Sequence, residues 1–534
     1  MRKSSRARKV IAAACGVGLA LGMAALPGGQ AQAQNNGGTP PAPGSLGTLV
    51  DAVTAPAAVL DPMFSNSATT REIDSHVFDE LVTYNQHYEI TPDLASSWSS
   101  TGKGLDWTFH LVQGAKFQNG EPVTGADVVA SLERFMAIGV NGPAMAKEVK
   151  SVTSPSPSVV DIALTRPDED FLATLANPLT FVAVMPAKYA ASRTALKPPD
   201  LIGTGPYSIE AWIPDQYTLL KRFPGYVPLS SESVGGYGGH KVAYYSALKF
   251  AVVPNAQTRL LGLESGQFEY AESLPFTAYQ ALASRPGLKP EVNPTSVQVV
   301  WYFNNYQYPT SNVWFRMALA QALNDTAILK VLTSGQSQFY QANPSLFFPT
   351  QTAAYDPGVG SGIYNSPDAA KVKADLARAG YKGQPVVVIT NQQYQWMYQA
   401  SVMAVAQWKA DGINAKLDVM TWPGELTYLT KKTGFNLFAS GNTLRFDPID
   451  ETSNIGTGGA DDWGFSNKEI DSLLTAYSQA RSASEQKAIV DKLQVAFWKQ
   501  VPELQVGDMA SLDGASASLH GYSVWYLPRF WNVW

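Results

Sequence analysis

The sequence predicts an α/β protein of two or three domains, on three observations. Between residues 367 and 420, a helical stretch twice leads through a loop into an apolar strand, the pattern of a helix-covered sheet. The chain has 534 residues, against ~100–200 per domain. Its one cysteine, Cys15, lies in an N-terminal leader, so a large apolar core rather than disulfides must hold the rest together.

That leader is the first element. Arg2, Lys3, Arg6, Arg8 and Lys9 carry charge with no acid among them, Val10 to Leu26 is apolar, and Ala31-Gln32-Ala33 is a small-x-small triplet. This is the pattern of an export signal over residues 1–33, cleaved near Ala33, which places the remainder in the periplasm. A membrane anchor fits less well. The apolar run falls short of the ~20 residues a spanning helix needs, and Gly16, Gly18, Gly22 and Pro27 interrupt it. Cys15 sits too early in the run for a lipid-modified residue. Without the leader's five cations, 34 Lys and Arg face 44 Asp and Glu, a net charge of −10. That balance disfavours nucleic acid and anionic membranes.

Residues 34–45 are polar and rich in Pro and Gly, a flexible lead. Leu46 to Val53 reads as the first strand. Thr124 with Asp127 forms a capping box ahead of Val128, Val129, Leu132 and Phe135 at helical spacing. Trp314 to Leu332 reads as one helix. Ser366-Pro367 opens another, stopped by Gly380. Ser466 with Glu469 caps a third, and Gln486 to Lys499 forms the last, ended by Pro502. Strand signals fall at Trp107–Leu111, Tyr217–Arg222, Tyr244–Val253, Pro385–Thr390 and Lys416–Val419. The five histidines are scattered without metal-ligand spacing, so neither metal nor cofactor is expected. The 13 Trp, 24 Tyr and 22 Phe suit either a large core or an aromatic-lined cleft.

In order along the chain, these fragments resemble one family. Leu60-Asp61-Pro62 is followed by Phe78-Asp79-Glu80-Leu81-Val82 and then by Pro92-Asp93-Leu94-Ala95-Ser96-Ser97-Trp98. Next come Trp107-Thr108-Phe109-His110-Leu111, Lys116-Phe117-Gln118-Asn119-Gly120 and Ala126-Asp127-Val128, with Val112 for the usual Arg and Gln118 for a common His. Gly203-Thr204-Gly205-Pro206-Tyr207, Tyr302-Phe303-Asn304, Arg316 to Asn324 and Ala379-Gly380-Tyr381 complete the set. The chain is similar to the extracytoplasmic solute-binding proteins of ABC importers, in the peptide-, nickel- and opine-binding group.

The resemblance implies a large type II fold of two α/β lobes, with an α+β domain inserted in the first. Residues 46–90, 203–300 and 505–534 would form the first lobe, 91–202 the insert and 301–504 the second lobe. The chain would cross between lobes near Val299–Trp301 and Leu504–Val506. It also implies a monomer that takes a small molecule or peptide into the interlobe cleft, closes over it, and hands it to an inner-membrane ABC permease without covalent chemistry.

Peptide-binding members carry an amine-pairing Asp after the second-lobe strand, read here as Phe435 to Gly441. The matching position holds Arg445, with Asp447-Pro448 retained and Asn442 where an aromatic is common. An Arg in place of an Asp reverses the preferred ligand charge, from ammonium to carboxylate or phosphate. Arg445 is therefore expected to hold a ligand carboxylate, or else to pair internally with Asp447 or Asp450. Trp422 would line a side-chain pocket, and Asn442 and Asp447 would sit beside Arg445. Phe303, Asn304 and Asn305 would face the cleft, and Ser65 and Asn66, with Ser67, would offer polar groups.

The competing reading is an exported penicillin-recognising serine hydrolase, from Ser246-Ala247-Leu248-Lys249, Tyr302-Phe303-Asn304 and Lys432-Thr433-Gly434. That chemistry needs Ser and Lys on one helical turn, whereas Ser246 and Lys249 lie in a predicted strand, on opposite faces. A nickel-binding role would need histidines in the cleft loops, and none falls there.

Overall fold

The computed structural model describes residues 39–65, 67–139, 142–228, 235–446, 455–458, 463–480 and 482–534. One mixed eleven-stranded sheet runs through the molecule. Its order is Ala415–Met420, Val386–Asn391, Leu437–Asn442, Leu288–Phe303, Glu503–Ser516, Tyr270–Ala271, Leu46–Val53, Tyr245–Val252, Tyr217–Arg222 and Tyr207–Ile213. Tyr340–Gln341 pairs beside Glu503–Ser516.

The two longest strands join the halves. Leu288–Phe303 and Glu503–Ser516 pair antiparallel from Leu288 opposite Ser516 to Tyr302 opposite Glu503. Two register shifts bend this ribbon, between Asn293 and Val297 and between Val299 and Val300. Gly507 sits at the bend with φ +133, and a Cβ there would lie 2.6 Å from the Gln341 carbonyl oxygen. Only glycine tolerates both.

The first lobe is built on Leu46–Val53 and the strands beyond it. Its core includes Leu49, Ile73, Phe78, Tyr207, Leu220 and Phe250, all buried. The same cluster continues into Trp107, Phe109, Leu132 and Phe171. These belong to a separate four-stranded antiparallel sheet (95–101, 106–111, 159–164, 149–156) covered by the helix Gly125–Ile138. A buried ion pair ties this sheet's helix to the first lobe. Arg134 grips both oxygens of Asp61 at 2.5 and 3.0 Å and donates to the Ser192 and Thr194 carbonyls.

In the second lobe, Val386–Asn391 runs parallel to both Ala415–Met420 and Leu437–Asn442. The helix Gln395–Ala410 covers one face through Ala400, Ala404 and Trp408. The helix Trp422–Lys431 covers the other through Tyr428 and Leu429.

Helix boundaries differ from the periodicity at four places. The 314–332 stretch is two helices, Val313–Gln321 and Asp325–Leu332, because the Asn324 side chain accepts from Ala327 N and caps the second. Asp368, not Ser366, caps Ala369–Ala379, so Pro367 lies before the helix. Asn467, not Ser466, caps Lys468–Ser478, accepting from Glu469 N and Ile470 N. The last helix is longer than predicted, Ala483–Gln500, with Ser482 as its cap.

Candidate functional site

The second lobe presents an aromatic wall. Tyr302 stacks on Trp463 at 4.9 Å between centroids and 7° between planes. Phe438 lies 6.0 Å from Trp463 and 5.9 Å from Trp422. Trp422 is half-buried at the start of its helix, edge-on to Tyr394 at 5.3 Å. Strand alternation explains the wall: Val300 and Tyr302 point to this face, while Val299, Trp301 and Phe303 point into the second-lobe core.

Asn442 organises the polar edge of that wall. Its Oδ1 accepts from the Tyr302 hydroxyl and from Arg445 Nη2 at 3.3 Å. Its Nδ2 donates to Glu503 Oε1 at 2.9 Å. Arg445, Asn442 and Trp422 are thus brought onto one face. Behind it, Glu425 is held by Asn391 Nδ2 at 2.8 Å, and burial lifts its carboxyl to about 7.

Phe303, Asn304 and Asn305 are placed differently from the sequence expectation, which had them facing the cleft. Phe303 is buried in the second-lobe core, with the Arg316 guanidinium 6.0 Å from its ring. Asn304 donates to the Lys432 and Phe435 carbonyls. Asn305 donates to the Phe303 carbonyl and accepts from Arg316 Nη1 at 2.9 Å. Their amide groups are consumed in tying the strand end to its neighbours, which leaves them no free face toward the cleft. Ser65 Oγ accepts from Ser67 N in the turn before the helix Ala68–Val77. Asn66, Asp447 and Asp450 lie outside the described residues, as does the leader.

After Asn442 the chain leaves the second lobe and reaches across. Leu444 and Phe446 are buried in the first-lobe cluster. The Phe446 ring lies 4.9 Å from Tyr526 at 90°, 5.1 Å from Tyr84, 5.7 Å from Trp525 and 6.1 Å from Tyr88. Gln351 Nε2 donates to the Arg445 carbonyl, and Tyr88 OH donates to Thr350 Oγ1 at 3.4 Å. The lobes are therefore in contact around this strap.

The sequence reading missed the first-lobe side of this contact. Arg71, buried on the helix Ala68–Val77, donates to the Tyr526 hydroxyl at 2.5 Å. Arg529, also buried, lies 5.7 Å from the Trp525 ring and donates to Ser523. The density of aromatic and Arg residues between Tyr522 and Trp531 was the available signal.

Among the described residues, one group could offer three carboxylates to a cation: Asp51, Glu72 and Glu272, with ligand atoms within 4.8 Å of one another. Burial and mutual repulsion push the Asp51 and Glu72 carboxyls well up. Acids this close raise one another's pKa when no countercharge lies between them.

The hydrolase constellation is not assembled. Ser246 and Lys249 lie in the strand Tyr245–Val252, where Ser246 Oγ donates to the Gly47 carbonyl and the Lys249 ammonium sits 4.7 Å from the Tyr217 ring. Three strands separate that strand from the one carrying Tyr302.

The comparisons agree with this architecture. The chain is 24% identical over 491 residues to a probable peptide ABC transporter periplasmic-binding protein of Sinorhizobium fredii, covering 89% of this chain and 91% of that one. It is 24% identical over 494 residues to the glutathione-binding protein of Salmonella typhi, covering 90% and 92%. Among solved structures, the agropinic acid complex of a periplasmic binding protein from Agrobacterium tumefaciens R10 superposes with a TM-score of 0.75 at 22% identity, covering 91% of this chain and 96% of that one. A Helicobacter pylori periplasmic binding protein in complex with the peptide STSA also gives 0.75, at 21% identity, covering 91% and 98%. These likenesses show the two-lobe fold. The model of the bacterial extracellular solute-binding proteins, family 5, matches residues 89–463, and the chain belongs to that family.

Proposed function

We propose that this protein captures an oligopeptide or another carboxylate-bearing small solute between its lobes and delivers it, unaltered, to an ABC permease of the inner membrane. The observation that carries this reading is the strap at 444–446, seated on the opposite lobe between two sets of aromatic and cationic side chains. The lobes are taken as 46–90 with 203–300 and 505–534, and 301–504, with 91–202 inserted. Residues 1–33 act as a cleaved export signal, and the mature protein works in the periplasm as a monomer. The relatives' ligands, peptide, glutathione and an opine acid, share a carboxylate, which supports an arginine-lined cleft.

In this reading Arg445 contributes charge from the second lobe, and Asn442 holds its guanidinium at the cleft edge. Trp422 supplies an apolar wall. A charge-assisted hydrogen bond is worth about 1.5–3 kcal/mol. Arg445→Ala should therefore weaken binding of the solute that copurifies with the protein, identified by mass spectrometry, by about 10- to 100-fold in calorimetry. Unchanged affinity would remove Arg445 from the site.

A further inference from the structure

Buried donors are normally matched by acceptors, and those that are not call for a missing partner. On the first-lobe side of the strap, three such donors gather. Arg71 Nε, Tyr237 OH and Trp525 Nε1 are all buried with no acceptor. They belong to one neighbourhood. Tyr237 and Trp525 are edge-to-face at 5.2 Å, Trp525 lies 6.3 Å from Tyr526, and Tyr526 accepts from Arg71. The Tyr237 hydroxyl lies within electrostatic reach of Arg71 and Arg529, and also of the buried Glu72 carboxyl, which shares its protons with Asp51 and Glu272. Among the described residues, no carboxylate pairs with either guanidinium.

The three unmatched groups are donors; one of them, Arg71, is a cation, and a second cation, Arg529, stands beside them. One water molecule accepts at most two hydrogen bonds and carries no charge, so it would leave one of the three donors unmatched. A carboxylate brings about four acceptor sites, no donor, and the charge that a buried guanidinium lacks. We infer that Arg71, with Tyr237 and Trp525, forms a first-lobe subsite that receives a carboxylate of the captured solute, with Arg529 adding positive potential. The inference rests on the reading that solute is held between the lobes. The rings of Trp525, Tyr526 and Phe446 flank the same place, so the carboxylate is to be carried on a planar or apolar body rather than on a fully hydrated one.

The arrangement also predicts an unusual stability signature. A buried donor without an acceptor destabilises the empty protein, so deleting it should leave folding unharmed while removing function. Tyr237→Phe removes a single oxygen that bonds to nothing.

The test uses mature protein refolded from denaturant to strip bound solute. It is titrated by tryptophan fluorescence with matched acids and carboxamides: N-acetylphenylalanine, alanylphenylalanine and glutarate, each against its amide, with inorganic phosphate as a further probe. At least one acid should bind, with its amide at least about 10-fold weaker. Arg71→Gln and Tyr237→Phe should each erase most of that preference, and Tyr237→Phe should melt at or above the wild-type temperature. An acid preference that survives both variants, no acid binding, or phosphate binding in preference to every acid would each overturn the subsite. If amides bind equally and still compact the protein in X-ray scattering, solute capture stands and only the carboxylate subsite fails. If no compound compacts the protein, capture itself fails.

Discussion

Phe446→Ala separates closure of the lobes from folding of each lobe. Phe446 belongs to the second lobe by its place after the strand Leu437–Asn442, yet its ring is buried against Tyr84, Tyr88, Trp525 and Tyr526 of the first. Opening the lobes would expose that ring, so its burial stabilises the closed form specifically. Burying a Phe side chain contributes about 1.5–3 kcal/mol, and the edge-on contact with Tyr526 about 0.5–1.5 more. Truncation should therefore shift the closed-to-open ratio by about 3 kcal/mol, roughly 100-fold. A solute that binds the closed form should lose affinity in proportion to the fall in closed population. At equal, subsaturating solute, small-angle scattering should show a larger radius of gyration for the variant than for the wild type, and calorimetry a weaker solute affinity. A variant with wild-type dimensions and affinity would refute the assignment of the strap as a closure contact.

Two further outcomes follow from buried charge. Arg134→Met leaves Asp61 buried with only the backbone N–H groups of Met63 and Leu196, so urea unfolding should report a loss of about 3–5 kcal/mol, centred on the inserted sheet. Asp508 is buried between Gln298 and Asn343, and burial raises its carboxyl to about 8, while Asp513 is raised to about 7. The folded state therefore keeps these protons above the ~3.9 at which an unfolded Asp releases them. Stability from these groups is fully present at acid pH and declines as pH rises from about 4 to about 8. Asp508→Asn should flatten that slope in thermal melts, and an unchanged slope would remove Asp508 from it.

The scaffold was far more legible in the sequence than the site, and the motif residues explain why. Asp61 of Leu60-Asp61-Pro62 is half of the buried ion pair with Arg134. Gln118 donates to the Val77 and Tyr207 carbonyls and accepts from Gly203 N, which joins the inserted sheet to the first lobe. A Cβ at Gly203 would sit 2.0 Å from the Val77 carbonyl oxygen. Arg316 donates to the Gln500 and Val501 carbonyls and to Thr310. These residues hold the frame, so the motifs that carry the family likeness read the fold correctly and are silent about ligand.

The cleft edge depends on pairing that periodicity does not encode. Arg445 and Asn442 were singled out as candidates because they depart from the family pattern. Arg71 and Tyr237 were not, because their neighbours Trp525 and Tyr526 are more than 280 residues away in the chain and arrive only when the tail folds back. Phe303 points into the second-lobe core, while Tyr302, one residue earlier, joins the cluster under the helix Trp422–Lys431. Helix starts slipped by one or two residues where several polar residues compete for the cap, as at Ser466 and Asn467.

Energy transfer between dyes on Gln257→Cys in the first lobe and Lys416→Cys in the second gives the most direct test, since the chain after the leader has no cysteine of its own. Adding back the solute released from the purified protein should raise transfer efficiency reversibly, and the recovered compound should be chemically identical to what was added. Unchanged efficiency at saturating solute, or recovery of an altered compound, would contradict capture by closure.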